Sequence, residues 1–257
     1  MTRGQRPELS IAELWRYPVK SLQGERLDAA TVTADGILGD RHWGLLDRST
    51  GLTLTARRVP DLLFAHARLS ATGDVEIELP DGTVTSDDAV LSAWLGRKVE
   101  LRAADNEPAP ATYEIDLNDD GRAGAVDDPN WVRWQGPATT FHDSTRTRVS
   151  LVSQATLGSW DRRRFRANVV LHGDAEPGCE DGYVAGQVAI GTAVLDVVKA
   201  IDRCVMVTRP QPDGIARDLD VLTTIVRQRG NELGVGALVR TPGDARVGDV
   251  VRPLSGD

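Results

Sequence analysis

The chain has 257 residues, 40% apolar and 26% charged, with 38 acidic against 30 basic side chains and a net charge of −8 at pH 7. An acidic surface offers no general attraction to nucleic acid or anionic lipid, and no run approaches the roughly 18 uninterrupted apolar residues of a spanning helix. Met1-Thr-Arg-Gly-Gln-Arg-Pro-Glu8 has no apolar leader, so the expectation is a soluble, unexported, cytoplasmic protein without nucleic-acid or membrane partners.

Ser10 to Val19 reads as a strand that Pro18 ends before a Lys20-Ser21 loop. Leu27 to Thr33 is a second strand, Asp35-Gly36 a turn, and Trp43 to Thr55 a hairpin folded at Ser49-Thr50-Gly51. Val75 to Leu79 alternates with period two and meets Asp81-Gly82, a hairpin turn. Asp87 to Leu95 is helical and stops at Gly96. Closely spaced short strands predict a small β-barrel or sandwich over about the first hundred residues.

Residues 103 to 140 turn polar and rich in Asp, Asn, Pro and Gly, which predicts a long connecting loop and the domain boundary. Beyond it, Val149 to Val152 is a strand and Ser153 caps a short helix through Leu157 and Trp160. Asn168 to Leu171, Val188 to Ile201, Val235 to Val239 and Val247 to Val251 are strands. Asp218 to Arg229 is the clearest helix, with Leu219, Leu222, Ile225 and Val226 on one face and Gly230 as its stop.

Two cysteines, Cys179 and Cys204, are too far apart for a Cys-x-x-Cys pair, and His42, His66, His142 and His172 show no metal spacing, so neither a zinc site nor a protein-bound iron–sulfur cluster is expected. Cys204 stands where an apolar strand opens into the Pro210-Gln-Pro-Asp-Gly214 turn, between Arg203 and Arg209. Guanidinium groups favour a thiolate, which suits a nucleophile or soft-metal ligand. A plain buried core thiol fits the same residues. Cys179 lies among acids that raise a thiol's pKa and is read as the less reactive one. Met206, Trp15 and His42 are read as structural.

Five motifs then occur in order: Tyr17-Pro-Val-Lys-Ser-Leu22, Gly36-Ile-Leu-Gly-Asp-Arg-His-Trp43, Thr55-Ala-Arg57, Phe165-Arg-Ala-Asn-Val-Val170 and Asp202-Arg-Cys204. Together they resemble the MOSC family, named for the C-terminal domain of molybdenum-cofactor sulfurase, in the version with an N-terminal MOSC β-barrel. The resemblance implies a mainly β chain with a few helices: an N-terminal β-barrel domain over 8–104, a polar connecting loop over 105–140 and a β-barrel MOSC domain over 141–254. It also implies a site for the molybdenum cofactor, with Cys204 as metal ligand and catalytic residue. Lys20, Ser21, Arg41, Arg57, Thr147, Arg166 and Asn168 match positions that hold the pterin and its phosphate. Arginine forks, a lysine point charge and a hydroxyl suit a dianionic phosphate. Because Arg57 and Arg58 are adjacent on a strand, at most one faces the site.

The implied activity is reduction of N-oxygenated small molecules such as hydroxylamines and amidoximes. With no cluster-binding cysteines and no Gly-x-Gly-x-x-Gly, electrons would come from a separate reductase or ferredoxin-like protein. A cofactor carrier without turnover, or sulfur transfer through a Cys204 persulfide, would use the same motifs. Asp202 stands where relatives have a small polar residue, and Ala167 where proline is common.

Overall fold

The computed structural model describes residues 8–104, 111–117 and 129–254. Its centre is a closed barrel of seven strands. In order around the barrel these are Val169–His172, Val149–Ser153, Glu232–Thr241, Ala193–Asp202, Gly186–Ile190, Val250–Leu254 and Leu9–Arg16, which pairs again with Val169–His172. Closure leaves no barrel edge exposed. The strand formed earliest in the chain is thus the stave that closes the C-terminal barrel: Ser10 faces His172 and Leu14 faces Val169 in one register, and Leu9 faces Val251 in the other.

Period-two alternation fills the interior. Leu9 and Ile11, Val149 and Leu151, Val169 and Leu171, Val188 and Ile190, and Leu195 and Val197 point inward together. Val152 and Val170 point the other way, into a layer with Phe165, Val221 and Ile225 beneath the helix Asp220–Arg229. That strand pair, Val149–Ser153 with Val169–His172, is parallel and buried on both faces, which is why Val169-Val170-Leu171 is apolar without interruption.

Residues 43–103 build two small three-stranded sheets around a separate core of Leu22, Leu45, Leu62, Leu63, Ile77 and Leu91, whereas Ala29–Thr33 and Gly36–Ile37 pair with Gly243–Arg246 and pack on the barrel core. The helix Asp88–Leu95 is capped by the Asp87 carboxylate, which accepts from the Ala89 and Val90 amides, and ends at Gly96 in the left-handed region, as its sequence predicts.

Several expectations need correction. The stretch 105–140 is more than a polar loop, since Thr112–Asp116 pairs antiparallel with Trp131–Gln135. Its cross-strand neighbours Tyr113 with Trp134 and Ile115 with Val132 supply the pairing energy that the Asp/Asn-rich composition hides. Val188 to Ile201 is two strands, with Ile190 opposite Ala193 across a two-residue Gly191-Thr192 turn. Gly191 has φ +58 there, and a Cβ would lie 2.2 Å from the Asp244 carbonyl oxygen. The last barrel strand is Val250–Leu254, not Val247–Val251. Leu219 precedes the helix and is exposed, so the buried face is Val221, Leu222 and Ile225. The helix after Ser153 spans only Gln154–Leu157, although Ser153 caps it as expected.

Candidate functional site

A cleft of about 360 Å³ opens between the barrel rim and the N-terminal sheets. Lys20, Ser21, Arg41, Arg57, Thr147, Arg166, Asn168 and Cys204 all line it, although they come from six separate stretches of chain. The backbone ties these stretches together. The Lys20 amide donates to the Trp43 carbonyl at 2.8 Å, the Arg41 amide to Tyr17 at 2.8 Å, the Phe141 amide to Arg41 at 2.7 Å and the Trp15 amide to Asn168 at 2.8 Å.

Six non-glycine residues among those described have positive φ, and three of them are Ser21 at 70°, Arg41 at 48° and Arg166 at 52°. Side chains adopt this region at a cost, and such strain gathers where a ligand is gripped. Nothing in the residue types signals it. At Ser21 the bend lets Oγ accept from the Ala56 amide at 3.0 Å, joining the first motif to the third.

Tyr17 is the pivot of the cationic wall. It is buried, and the guanidinium carbons of Arg41 and Arg166 lie 4.7 Å and 4.4 Å from its ring centre. Burial raises the Tyr17 phenol to about 12 against the two guanidinium charges. Arg41 pairs with the buried Asp40 carboxylate and donates to the Arg166 carbonyl at 3.1 Å; Arg166 donates to the Leu22 carbonyl. Burial, and then the Arg41 charge, lower Arg166 to about 10, so it remains charged at neutral pH.

Lys20 is 5% exposed. Its ammonium donates to the Phe141 carbonyl at 3.0 Å, sits 4.3 Å from the Tyr113 ring centre and pairs with Asp143. Burial lowers its pKa and Asp143 opposes that shift. Arg57 lines the cleft, whereas Arg58 turns outward to Glu114 at 2.8 Å and to the Trp131 ring at 4.3 Å. The two side chains diverge as expected, although residues 56–58 form a turn and not the strand the sequence suggests. Asn168 is 1% exposed; its Oδ1 accepts from the Ser150 amide and hydroxyl at 3.1 and 3.0 Å, and its Nδ2 donates to the Trp15 carbonyl. It braces the barrel rim as well as lining the cleft.

Cys204 is half-buried at the cleft edge and begins the short helical turn Val205–Thr208. Its neighbour Arg203 acts on the thiol by charge and sends its hydrogen bonds elsewhere. The Arg203 guanidinium donates to the Leu233 carbonyl at 2.8 Å and to the Phe165 carbonyl at 3.1 Å, so its donors bind backbone in place of the thiol. Burial lowers Arg203 to about 10, opposed by the charges of Cys204, Glu180 and Asp202. Asp202 is exposed and pairs with Lys199 at 2.6 Å. Cys179 packs at the edge of the barrel core 3.5 Å from Glu180, and burial together with that carboxylate raises its pKa, in line with a low reactivity.

Sequence reasoning missed Arg148 and Arg164, which line the cleft, and Tyr17, the buried ring on which Arg41 and Arg166 pack; their roles depend on burial that composition does not reveal. His142 is buried, and its Nε2 has no hydrogen-bond partner; the nearest carboxylate oxygen, on Asp40, is 3.7 Å away. Thr55 Oγ1 is likewise buried and unpartnered at the cleft wall. Orphaned polar atoms in a cationic cleft fit an anionic, hydrogen-bonding ligand. Among the described residues no group of three or more His, Cys, Asp or Glu side chains is placed to hold a metal ion. A soft metal here would therefore take one thiolate from the protein and its other ligands from a bound molecule.

Residues 8–112 match the family model described as the MOSC N-terminal beta barrel domain, and residues 138–252 match the MOSC domain. A molybdenum cofactor sulfurase of Drosophila grimshawi is 26% identical over 95% of this chain, which spans only 34% of that relative's length. Mitochondrial amidoxime-reducing component 1 of Homo sapiens is 26% identical over 94% of this chain and 82% of its own, and component 2 of Bos taurus is 25% identical over 86% and 72%. The YuaD protein of Bacillus subtilis superposes with a TM-score of 0.46 at 13% identity, covering 97% of each chain. No helix among the described residues is long and apolar enough to cross a membrane. The two family matches together cover most of the chain, which belongs to the MOSC family and carries its N-terminal β-barrel domain ahead of the MOSC domain.

Proposed function

We propose that the cleft holds the molybdenum cofactor and that the protein reduces N-oxygenated compounds such as hydroxylamines and amidoximes. The observation that carries this reading is the convergence of Lys20, Ser21, Arg41, Arg57 and Arg166 with Cys204 around one cleft of an acidic chain. Lys20 and the arginines would hold the phosphate of the pterin arm, the Ser21 and Thr147 hydroxyls and the unpaired His142 and Thr55 atoms would orient its polar edge, and Cys204 would ligate the metal. When bound, the group would supply the two-electron redox chemistry by which substrate, two electrons and two protons give the reduced product and water. The chain's own part is to fix that group, exclude water and leave the Cys204 side of the cleft accessible, with electrons arriving from a separate reductase or ferredoxin-like protein.

Replacing Cys204 with Ser tests the assignment. A hydroxyl is nearly isosteric but a much harder ligand. Cys204→Ser should therefore keep its melting temperature and lose at least about a hundredfold in amidoxime reduction by a reduced artificial donor, equivalent to roughly 2.7 kcal/mol at the transition state. Part of its molybdenum should remain, held by the arginines. A carrier would contain molybdenum and show no turnover before mutation. A sulfur-transfer protein would contain none and would carry a cyanide-releasable sulfur on Cys204. An active Cys204→Ser protein would end the proposal.

A further inference from the structure

The environment of Lys20 contains one partner that differs from the rest. The Phe141 carbonyl and the Tyr113 ring are fixed parts of the wall: Phe141 is tied through its amide to Arg41, and the Tyr113 hydroxyl donates to the Asp143 carbonyl oxygen at 2.7 Å. The Asp143 side chain, in contrast, is 82% exposed and projects into the open cleft from an irregular loop, where it pairs with an ammonium that is itself 5% exposed. A buried ammonium needs a counter-charge to stay ionised, and an exposed carboxylate supplies it without closing the cleft. The Lys20 charge first, and then those of Arg57 and Arg41, hold the Asp143 carboxyl below the ordinary carboxylate range. The charges that would grip an entering anion thus already act on this side chain.

We propose that Asp143 is an internal competitor for the cleft's anion subsite: its carboxylate occupies Lys20 and must swing off that ammonium for a phosphate-class group to bind there. The inference rests on the cleft being the cofactor's cradle and adds a control on its affinity. A dianion with several acceptor oxygens can displace a single carboxylate, whereas a weak monoanion cannot, so Asp143 screens the site against small carboxylates.

Inorganic phosphate binding, followed by calorimetry on the full chain from a host unable to make the cofactor, tests this. Asp143→Asn and Asp143→Ala should each bind phosphate at least about tenfold more tightly than the parent, a difference of one strong charged contact. The same gain should appear for acetate, and both gains should vanish when Lys20→Met is added. Equal or weaker phosphate affinity in both variants would overturn the competition. Failure of both to fold would also overturn it, because a side chain that must leave its partner cannot be an obligatory strut. Molybdenum content of the parent from a cofactor-competent host, measured alongside, separates the two readings. Molybdenum present with no Asp143 effect removes the competition alone. A Lys20-dependent gain in phosphate affinity with no molybdenum removes the cofactor reading alone.

Discussion

Two sets of arginines stand within a few residues of each other and do opposite things. Arg164 and Arg203 line the cleft too, but each is 8% exposed and directs its hydrogen bonds to carbonyl oxygens: Val207, Arg209 and Ala216 for one, Leu233 and Phe165 for the other. Arg41 and Arg166 also line it, both pack on the Tyr17 ring and both stay half-buried on strained backbone. The first set joins the Val205–Thr208 turn to the barrel; the second presents charge to a ligand. Sequence position does not separate them, because Arg164 and Arg166 are two residues apart.

The sharpest way to break this comparison is to delete one member of each set. Arg203→Leu should lower stability by about 3 kcal/mol, since the Leu233 and Phe165 carbonyls lose their donor in the interior, and denaturant titration would measure it. Arg166→Ala should leave that titration within about 1 kcal/mol of the parent while weakening cofactor retention about ten- to a hundredfold, because one charged contact to a phosphate is worth roughly 1.5–3 kcal/mol. If both variants unfolded to the same extent, the two sets would be one.

A smaller effect sharpens the assignment of His142 to the wall. Burial holds its pKa at about 3, against the pull of Asp40, compared with 6.5 when exposed. Below pH 6.5 the unfolded chain takes up a proton that the folded chain refuses. Its contribution to stability is therefore complete above pH 6.5 and falls by about 1.4 kcal/mol per pH unit as pH drops towards 3. Substituting His142→Phe should flatten the pH dependence of unfolding between pH 6.5 and 4.5 by about that slope. An unchanged slope would mean the imidazole is not held neutral.

The legible part of this protein was local. Asp87 and Gly96 framed a helix through capping chemistry, and the ordered motifs picked out Lys20, Ser21, Arg41, Arg57, Arg166 and Cys204, which line the same cleft. What stayed hidden needed partners distant in the chain. Leu9–Arg16 reads as an ordinary strand, and only its pairing with Val169–His172 makes it the closing stave of the far barrel. Arg203 beside Cys204 suggested thiolate activation, but its carbonyl partners at Phe165 and Leu233 lie some thirty residues or more away in sequence. Left-handed backbone at Ser21, Arg41 and Arg166 has no compositional signature at all, since none is a residue type that favours it.

The central claim is that the cationic wall holds a molybdenum-bearing ligand. Molybdenum per chain, by elemental analysis after extensive dialysis, tests it most directly when the parent, Lys20→Ala with Arg166→Ala, and Arg203→Leu are all prepared from one cofactor-competent host. The account predicts molybdenum in the parent, its loss in the double cleft variant at an unchanged melting temperature, and retention by whatever folded fraction of Arg203→Leu survives. A parent without molybdenum, or a double variant that keeps the parent's full content, would contradict it.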